Sequence, residues 1–196
     1  MISKLAKSIA HFFVVQNIPE ESKEVIYAYG MELLISDVLN TIIVLLIALF
    51  SHTLPAVVVF IAVFMGLRQF VGGFHANSHL SCMFTLVMVM MVFSYGICNV
   101  SGHITPIFSI SFIMIALPII LCIAPVPHPN KPMSEEKSVK LRKRSCILAV
   151  TLSVVTIALL VFQYQKLSLY VSSGMLLSAI MALLGHFLNR GDNSKR

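Results

Sequence analysis

From Glu32 onward the apolar residues fall into six blocks, at about 33–51, 54–67, 83–99, 106–124, 146–163 and 168–188. Polar separators divide them: Ser51-His52-Thr53 ahead of Pro55, Arg68 to Ser81, Asn99 to Thr105, a longer stretch from Pro125 to Ser145, and Gln163 to Lys166. Several blocks approach the roughly 20 residues that a helix needs to cross a bilayer. Backbone N–H and C=O groups cannot stay unpaired in lipid, so each block is expected to be helical. The block at 54–67 is short for a full span and could tilt, thin the bilayer or be re-entrant. The pattern predicts an all-α, polytopic integral membrane protein with about six hydrophobic helical segments, four to six of them full spans. They form one membrane domain over residues 1–196. Ahead of the blocks, residues 1–25 space Ile2, Leu5, Ile9, Phe12 and Phe13 helically among Lys4, Lys7, His11 and Lys23. That is the pattern of an amphipathic helix lying in the headgroup region. A signal peptide fits less well, because Lys7 and His11 break the apolar core and Glu20, Glu21 and Glu24 follow.

Composition sharpens this picture. The 196 residues are 58% hydrophobic and only 11% charged, where a soluble domain carries about a quarter charged residues. That balance excludes a cytosolic enzyme, a disordered chain and a secreted disulfide scaffold. The net charge of +6 would suit a nucleic-acid partner, but its placement argues against one. With the N-terminus inside, the inner separators and tails hold Lys4, Lys7, Lys23, Arg68, Lys131, Lys137, Lys140, Arg142, Lys143, Arg144, Arg190, Lys195 and Arg196, and only Lys166 falls outside. Thirteen of the 14 basic residues on one side satisfy the positive-inside rule. The partners this implies are membrane lipids, with Lys140–Arg144 as topology determinant and anionic-lipid contact. A grip on an acidic peptide is the alternative role for that cluster.

Reactive residue types concentrate in the separator Arg68-Gln-Phe-Val-Gly72-Gly73-Phe-His75-Ala-Asn-Ser-His79-Leu-Ser-Cys82. On this topology it faces the cytoplasm, where a cysteine is normally a free thiol. Structural disulfides are therefore not expected for Cys82, Cys98, Cys122 or Cys146. The last three sit in apolar runs and read as small buried hydrophobes. Cys82 differs, lying at a polar boundary with histidines near it, as thiolate activation requires. Three readings compete for the segment. In the first, His75, His79 and Cys82 ligate a metal; His75 and His79 have the i, i+4 spacing of zinc-protease helices, but Ala76 stands where those enzymes carry a glutamate base. In the second, these residues are structural. In the third, a cysteine and a histidine form a nucleophilic pair.

Geometry constrains the pair without choosing the histidine. In one straight helix, His75 and Cys82 would be about 10 Å apart along the axis, too far for direct proton transfer. His79 and Cys82, at i, i+3, would be neighbours. His79 is then the base if the segment is helical, and His75 if the chain folds back. Gly72-Gly73 permits a sharp backbone turn, and Asn77 or Ser78 could cap a helix. A helix with Cys82 near its N-terminal turn would favour the thiolate through its end dipole.

The run Arg68-x-x-x-Gly72-Gly73-x-His75-Ala76, with Cys82 seven residues after His75, resembles the accessory gene regulator protein B (AgrB) family. Those are polytopic membrane cysteine endopeptidases of Gram-positive quorum sensing. Chain length, the amphipathic N-terminal segment and the basic loop with Pro129-Asn130-Lys131-Pro132 agree, and Thr85 could fill the place of a small hydroxyl residue after the cysteine. The resemblance spans essentially the whole chain, with about fifteen residues specific. It implies a bacterial plasma-membrane enzyme whose termini and 68–82 loop are cytoplasmic. Its substrate would be a small precursor peptide of the AgrD type. Cys82 would attack the scissile carbonyl to give a peptidyl thioester, and a Cys or Ser of the peptide would close a thiolactone or lactone. His75 becomes the general base, which requires the chain between it and Cys82 to bend, and His79 becomes secondary. Arg68 would hold a precursor carboxylate or anchor at headgroups, while Gly72 and Gly73 shape the loop. No cofactor and no metal are implied, and a homo-oligomer is expected.

Asp37 and Asn40 stand out inside the first block, where an ionisable group is a functional candidate by default. Asp37 could orient His75 or simply pack, protonated or hydrogen-bonded; Glu32 sits at the span edge. A small transporter or channel would explain the spans and Asp37, but not the grouping of Cys82 with His75. A membrane metalloenzyme using His75, His79 and Cys82 is the third class.

Overall fold

The computed structural model describes residues 24–72, 79–126 and 135–193, together with Ser8, Ile9 and Phe12. The amphipathic segment expected over residues 1–25 lies almost wholly outside the described residues. Six helices follow in chain order: α1 (Glu24–Phe50), α2 (Leu54–Val71), α3 (His79–Met91), α4 (Thr105–Ile123), α5 (Glu135–Val161) and α6 (Gln165–Asn193). Each apolar block therefore lies on one helical segment, and the chain is an all-α, polytopic membrane protein.

Among the described residues, four helical stretches are long and apolar enough to cross a membrane: α2, α4, Ser138–Val161 of α5 and Gln165–Phe187 of α6. The block at 54–67 is among them, because its helix continues through Arg68 to Val71 and reaches 18 residues. The shorter apolar stretches are Val38–Phe50 in α1 and Val87–Asn99 at the end of the α3 segment. In α1 the acidic positions 24, 32 and 37 interrupt the apolar run. In the α3 segment the helix widens into a π turn at Val92–Gly96 and tightens into a 3₁₀ turn at Ile97–Asn99. The Asn99 Nδ2 then donates to the carbonyls of Ser94 and Tyr95, at 3.3 and 3.0 Å, satisfying acceptors that the helix end leaves open.

Two tight turns share one construction. At the end of α1, Thr53 N–H donates to Ala48 O at 2.9 Å and His52 N–H to Leu49 O at 3.2 Å, with His52 at φ 55°. At the end of α5, Tyr164 N–H donates to Leu159 O at 2.8 Å and Gln163 N–H to Leu160 O at 3.1 Å, with Gln163 at φ 66°. Both are Schellman-type caps with a left-handed residue, usually glycine, at the turn.

Helix directions follow from the interhelical contacts. A Cβ on Gly174 of α6 would meet Phe60 O of α2 at 2.9 Å, and Ser178 Oγ of α6 reaches Phe64 O at 3.4 Å. Numbering rises together along both helices, so α2 and α6 are parallel. Ser109 of α4 bonds Ser168 of α6 at 3.0 Å, bringing the start of α4 to the start of α6. The bundle thus has two ends. The turns 51–53, 100–104 and 162–164 lie at one; the C-termini of α2, α4 and α6 and the starts of α3 and α5 lie at the other.

The apolar window of α6 is 56% buried, against 33% or less for the other three candidate spans, so α6 is the central helix. Its buried face is rich in small residues, Ser168, Ser172, Ser173, Gly174, Ser178, Ala179 and Ala182, set among Leu169, Val171 and Met175. Helices in lipid associate by close packing rather than by apolar transfer, and small residues permit that approach. One core cluster joins Leu67, Val71, Ile120, Ala149, Met175 and Ala182 from α2, α4, α5 and α6 with Ala124 and Val126, which follow α4. A second joins Val44, Ala48, Val57, Phe60, Met90 and Phe93, tying α1 and the α3 segment to α2. Phe93 fills the joint, with its ring 4.3 Å from Phe60 and 5.9 Å from Tyr170.

Two expectations are modified. The stretch 125–145, expected as a basic loop, is helical from Glu135, so Lys140–Arg144 lie in the first turns of α5. Glu135 and Glu136 in that first turn suit the positive end of the helix dipole, and an exposed Lys140–Glu136 pair at 2.6 Å spans one turn. Cys122 is exposed rather than buried, while Cys98 and Cys146 are half-buried. Cys122 lies in an apolar span, where an outward position meets lipid and needs no protein cover.

Candidate active site

The sequence before Cys82 folds into a latch. α2 ends where Gly72 takes φ 72° and ψ −156° and its N–H closes on Arg68 O at 3.0 Å. That backbone region is essentially restricted to glycine. The turn lets the chain pair with the strand-like residues after α4: Val126 N–H donates to Val71 O at 2.9 Å, forming an isolated parallel bridge between Gly72 and Val126. Val71, Ala124 and Val126 are buried beneath it. A Cβ on Gly72 would lie 2.5 Å from the Val126 carbonyl oxygen, so the close approach also demands glycine. The latch ties the end of α2 to the residues that follow α4.

Cys82 and His79 both lie on the described part of α3. Their backbones are thus three residues apart on one helix, although the side chains of both lie outside the described residues. Gly73 and His75 also lie outside them, as does the side chain of Asp37, whose backbone belongs to α1. Arg68 is half-buried in the last turn of α2, with its guanidinium 5.5 Å from the centroid of the Phe64 ring, a cation–π contact one turn back on its own helix. Thr85, one turn after Cys82, is exposed. Asn40 is buried at 6% exposure on α1.

Charge follows the two ends of the bundle. The end carrying the latch and the start of α3 also carries Arg68, the first turns of α5 with Lys137, Lys140, Arg142, Lys143 and Arg144, and the last turns of α6 with Arg190. Arg142, Lys143 and Arg144 are exposed there. Among the described residues, Lys166 is the basic residue of the opposite end. Arg68, Gly72, the described start of α3 and the basic start of α5 thus lie at the same end of the bundle. The latch was missed from sequence: its two strands are more than fifty residues apart and joined through backbone, so only the glycine at position 72 hinted at it.

A model of the accessory gene regulator B (AgrB) family matches residues 3–182. An AgrB-like protein from Clostridium beijerinckii is 25% identical over 145 residues, which cover 72% of this chain and 71% of that relative. No solved structure matches the chain.

Proposed function

We propose that this chain, which belongs to the accessory gene regulator B family, is a membrane cysteine endopeptidase acting on a small AgrD-type precursor peptide at the cytoplasmic face. The thiolate of Cys82 attacks the scissile carbonyl, and a histidine, His75 on the family pattern, takes the thiol proton. The tetrahedral intermediate collapses as that imidazolium protonates the departing amine, releasing the C-terminal part of the precursor and leaving an acyl thioester on Cys82. A cysteine thiol or serine hydroxyl within the bound peptide then attacks the thioester carbonyl, closing a thiolactone or lactone and returning the proton to the enzyme thiol. The thioester retains acyl activation, so cyclisation needs no nucleotide. A site at the bilayer surface limits competing water, and an amphipathic leader would concentrate the precursor there.

The observation that carries this reading is the match of the accessory gene regulator B family model over residues 3–182, a range that includes His75 and Cys82. Supporting it, Arg68 and the basic start of α5 share that end of the bundle, in keeping with a cytoplasmic orientation. A second base is favoured by one observation: positions 79 and 82 lie on one helix, α3, where i, i+3 positions are neighbours. The test is precursor cleavage by Cys82→Ala, His75→Ala and His79→Ala in membranes, with insertion verified. Cys82→Ala is expected to abolish cleavage, and robust cleavage by it would overturn the proposal. The histidine whose loss matches that of Cys82 is the base.

A further inference from the structure

The basic start of α5 leaves two roles open, a grip on anionic lipid or on an acidic peptide, and the faces of the helix separate them. Ile147, Val150, Val154, Ile157 and Val161 are exposed, and at about 100° per residue they fall within about 60° of Val154 around the helix. This is the stripe that α5 turns to lipid. The opposite side carries buried Ser145, Ala149 and Thr156, with Ala149 in the core shared with α2, α4 and α6. Followed towards the helix start, the lipid stripe becomes basic. Lys143 lies about 20° from Val154, Lys140 about 40° and Arg144 about 80°, and all three are exposed. Arg142 is exposed as well, but it lies about 20° from Ala149, on the side turned to the bundle.

Height agrees with face. Lys143 precedes Val161 by eighteen residues, about 27 Å of helix, close to the roughly 30 Å of a bilayer's hydrocarbon core. Phe162 and Tyr164 are exposed just past the far end of α5, and aromatic side chains anchor in the headgroup layer. With that end in one layer, Lys143 and Arg144 reach the other. Lys140, about one turn further out, pairs with Glu136 at 2.6 Å. Among the described residues, no carboxylate pairs with Lys143 or Arg144.

We propose that Lys140, Lys143 and Arg144 form a headgroup site for an anionic phospholipid on the outward face of α5. The Arg144 fork takes two phosphate oxygens, and Lys143 adds a point charge beside them. The stems of both side chains lie along the apolar stripe, and the acyl chains pack against Ile147, Val150 and Val154. A zwitterionic lipid offers the same phosphate but carries its own cation, which the cluster repels, so the site selects net negative charge. An acidic peptide is the poorer occupant, because the face of Lys143 continues into lipid rather than into the bundle. Lipid capture there does not depend on the chemistry at Cys82.

The test is native mass spectrometry of the full chain in dodecyl maltoside with equal amounts of dioleoylphosphatidylglycerol and dioleoylphosphatidylcholine. The parent is expected to retain phosphatidylglycerol over phosphatidylcholine by more than about fivefold. Lys143→Gln and Arg144→Gln should each lower phosphatidylglycerol retention about fivefold, the worth of one basic residue at a membrane surface. Arg142→Gln removes the same net charge from the bundle side and should lower it by less than about twofold. Equal retention of the two lipids by the parent, or a loss in Arg142→Gln matching that in Lys143→Gln, overturns the proposal. So does binding of a hexaglutamate peptide that phosphatidylglycerol fails to displace. If Lys143→Gln does not accumulate, the parent is acetylated with sulfo-N-hydroxysuccinimide acetate in nanodiscs of each lipid. Slower acetylation of Lys143 relative to Lys166 in phosphatidylglycerol supports the site, and an unchanged ratio overturns it.

Discussion

Replacing Gly72 by alanine should open the latch between the end of α2 and the residues that follow α4. The residue sits at φ 72°, ψ −156°, and holding a non-glycine residue in that region costs of order 1–3 kcal/mol. The added Cβ would lie 2.5 Å from the Val126 carbonyl oxygen, where ordinary contacts begin at 3.4 Å. Relieving that clash separates the two segments and sacrifices the 2.9 Å bond from Val126 N–H to Val71 O, worth about 1 kcal/mol net. Together the latch weakens by about 2–4 kcal/mol, which multiplies its open population by roughly 30- to 900-fold. Hydrogen exchange of the Val126 amide, followed by mass spectrometry in detergent, reads that opening directly. Protection of Val126 should fall by a factor in that range, while α4 and α6 keep theirs, and precursor processing should fall with it. Gly66→Ala is the control: a Cβ there meets nothing within 4 Å, so the change should be neutral or stabilise α2 by about 0.5–1 kcal/mol. Wild-type exchange at Val126 in Gly72→Ala would refute the reasoning.

Other perturbations have definite signs. Gly174→Ala places a Cβ 2.9 Å from Phe60 O and 3.0 Å from Val63, so α2 and α6 must separate; a loss of about 1–3 kcal/mol should lower the thermal midpoint in detergent. His52→Gly and Gln163→Gly remove left-handed residues from the two helix caps and should each raise stability by about 1 kcal/mol, read as an upward thermal shift. Lys140→Ala breaks an ion pair whose side chains are 66% and 80% exposed and should change stability by less than about 0.5 kcal/mol.

Lipid makes the helices legible, because an apolar block crossing a membrane has little choice but to be helical. What the blocks could not convey is where helices continue past the apolar boundary. α5 begins at Glu135, eleven residues before its block, because its early turns lie among charged residues that carry no hydropathy signal. α2 runs to Val71 across Arg68 for the same reason. At the candidate site, the apolar block from residue 83 was readable as a helix, and α3 carries the backbone of Cys82 as well. The latch was not, since a backbone bond between Val71 and Val126 leaves no side-chain pattern.

The central claim is that Cys82 becomes acylated. The direct measurement is mass spectrometry of the purified chain after co-expression with a precursor peptide encoded beside it. The account predicts a hydroxylamine-labile adduct on the peptide containing Cys82, equal to the precursor mass less its released C-terminal part, and absent from Cys82→Ala. Precursor cleavage continuing in Cys82→Ala, with no adduct on the parent, would contradict it.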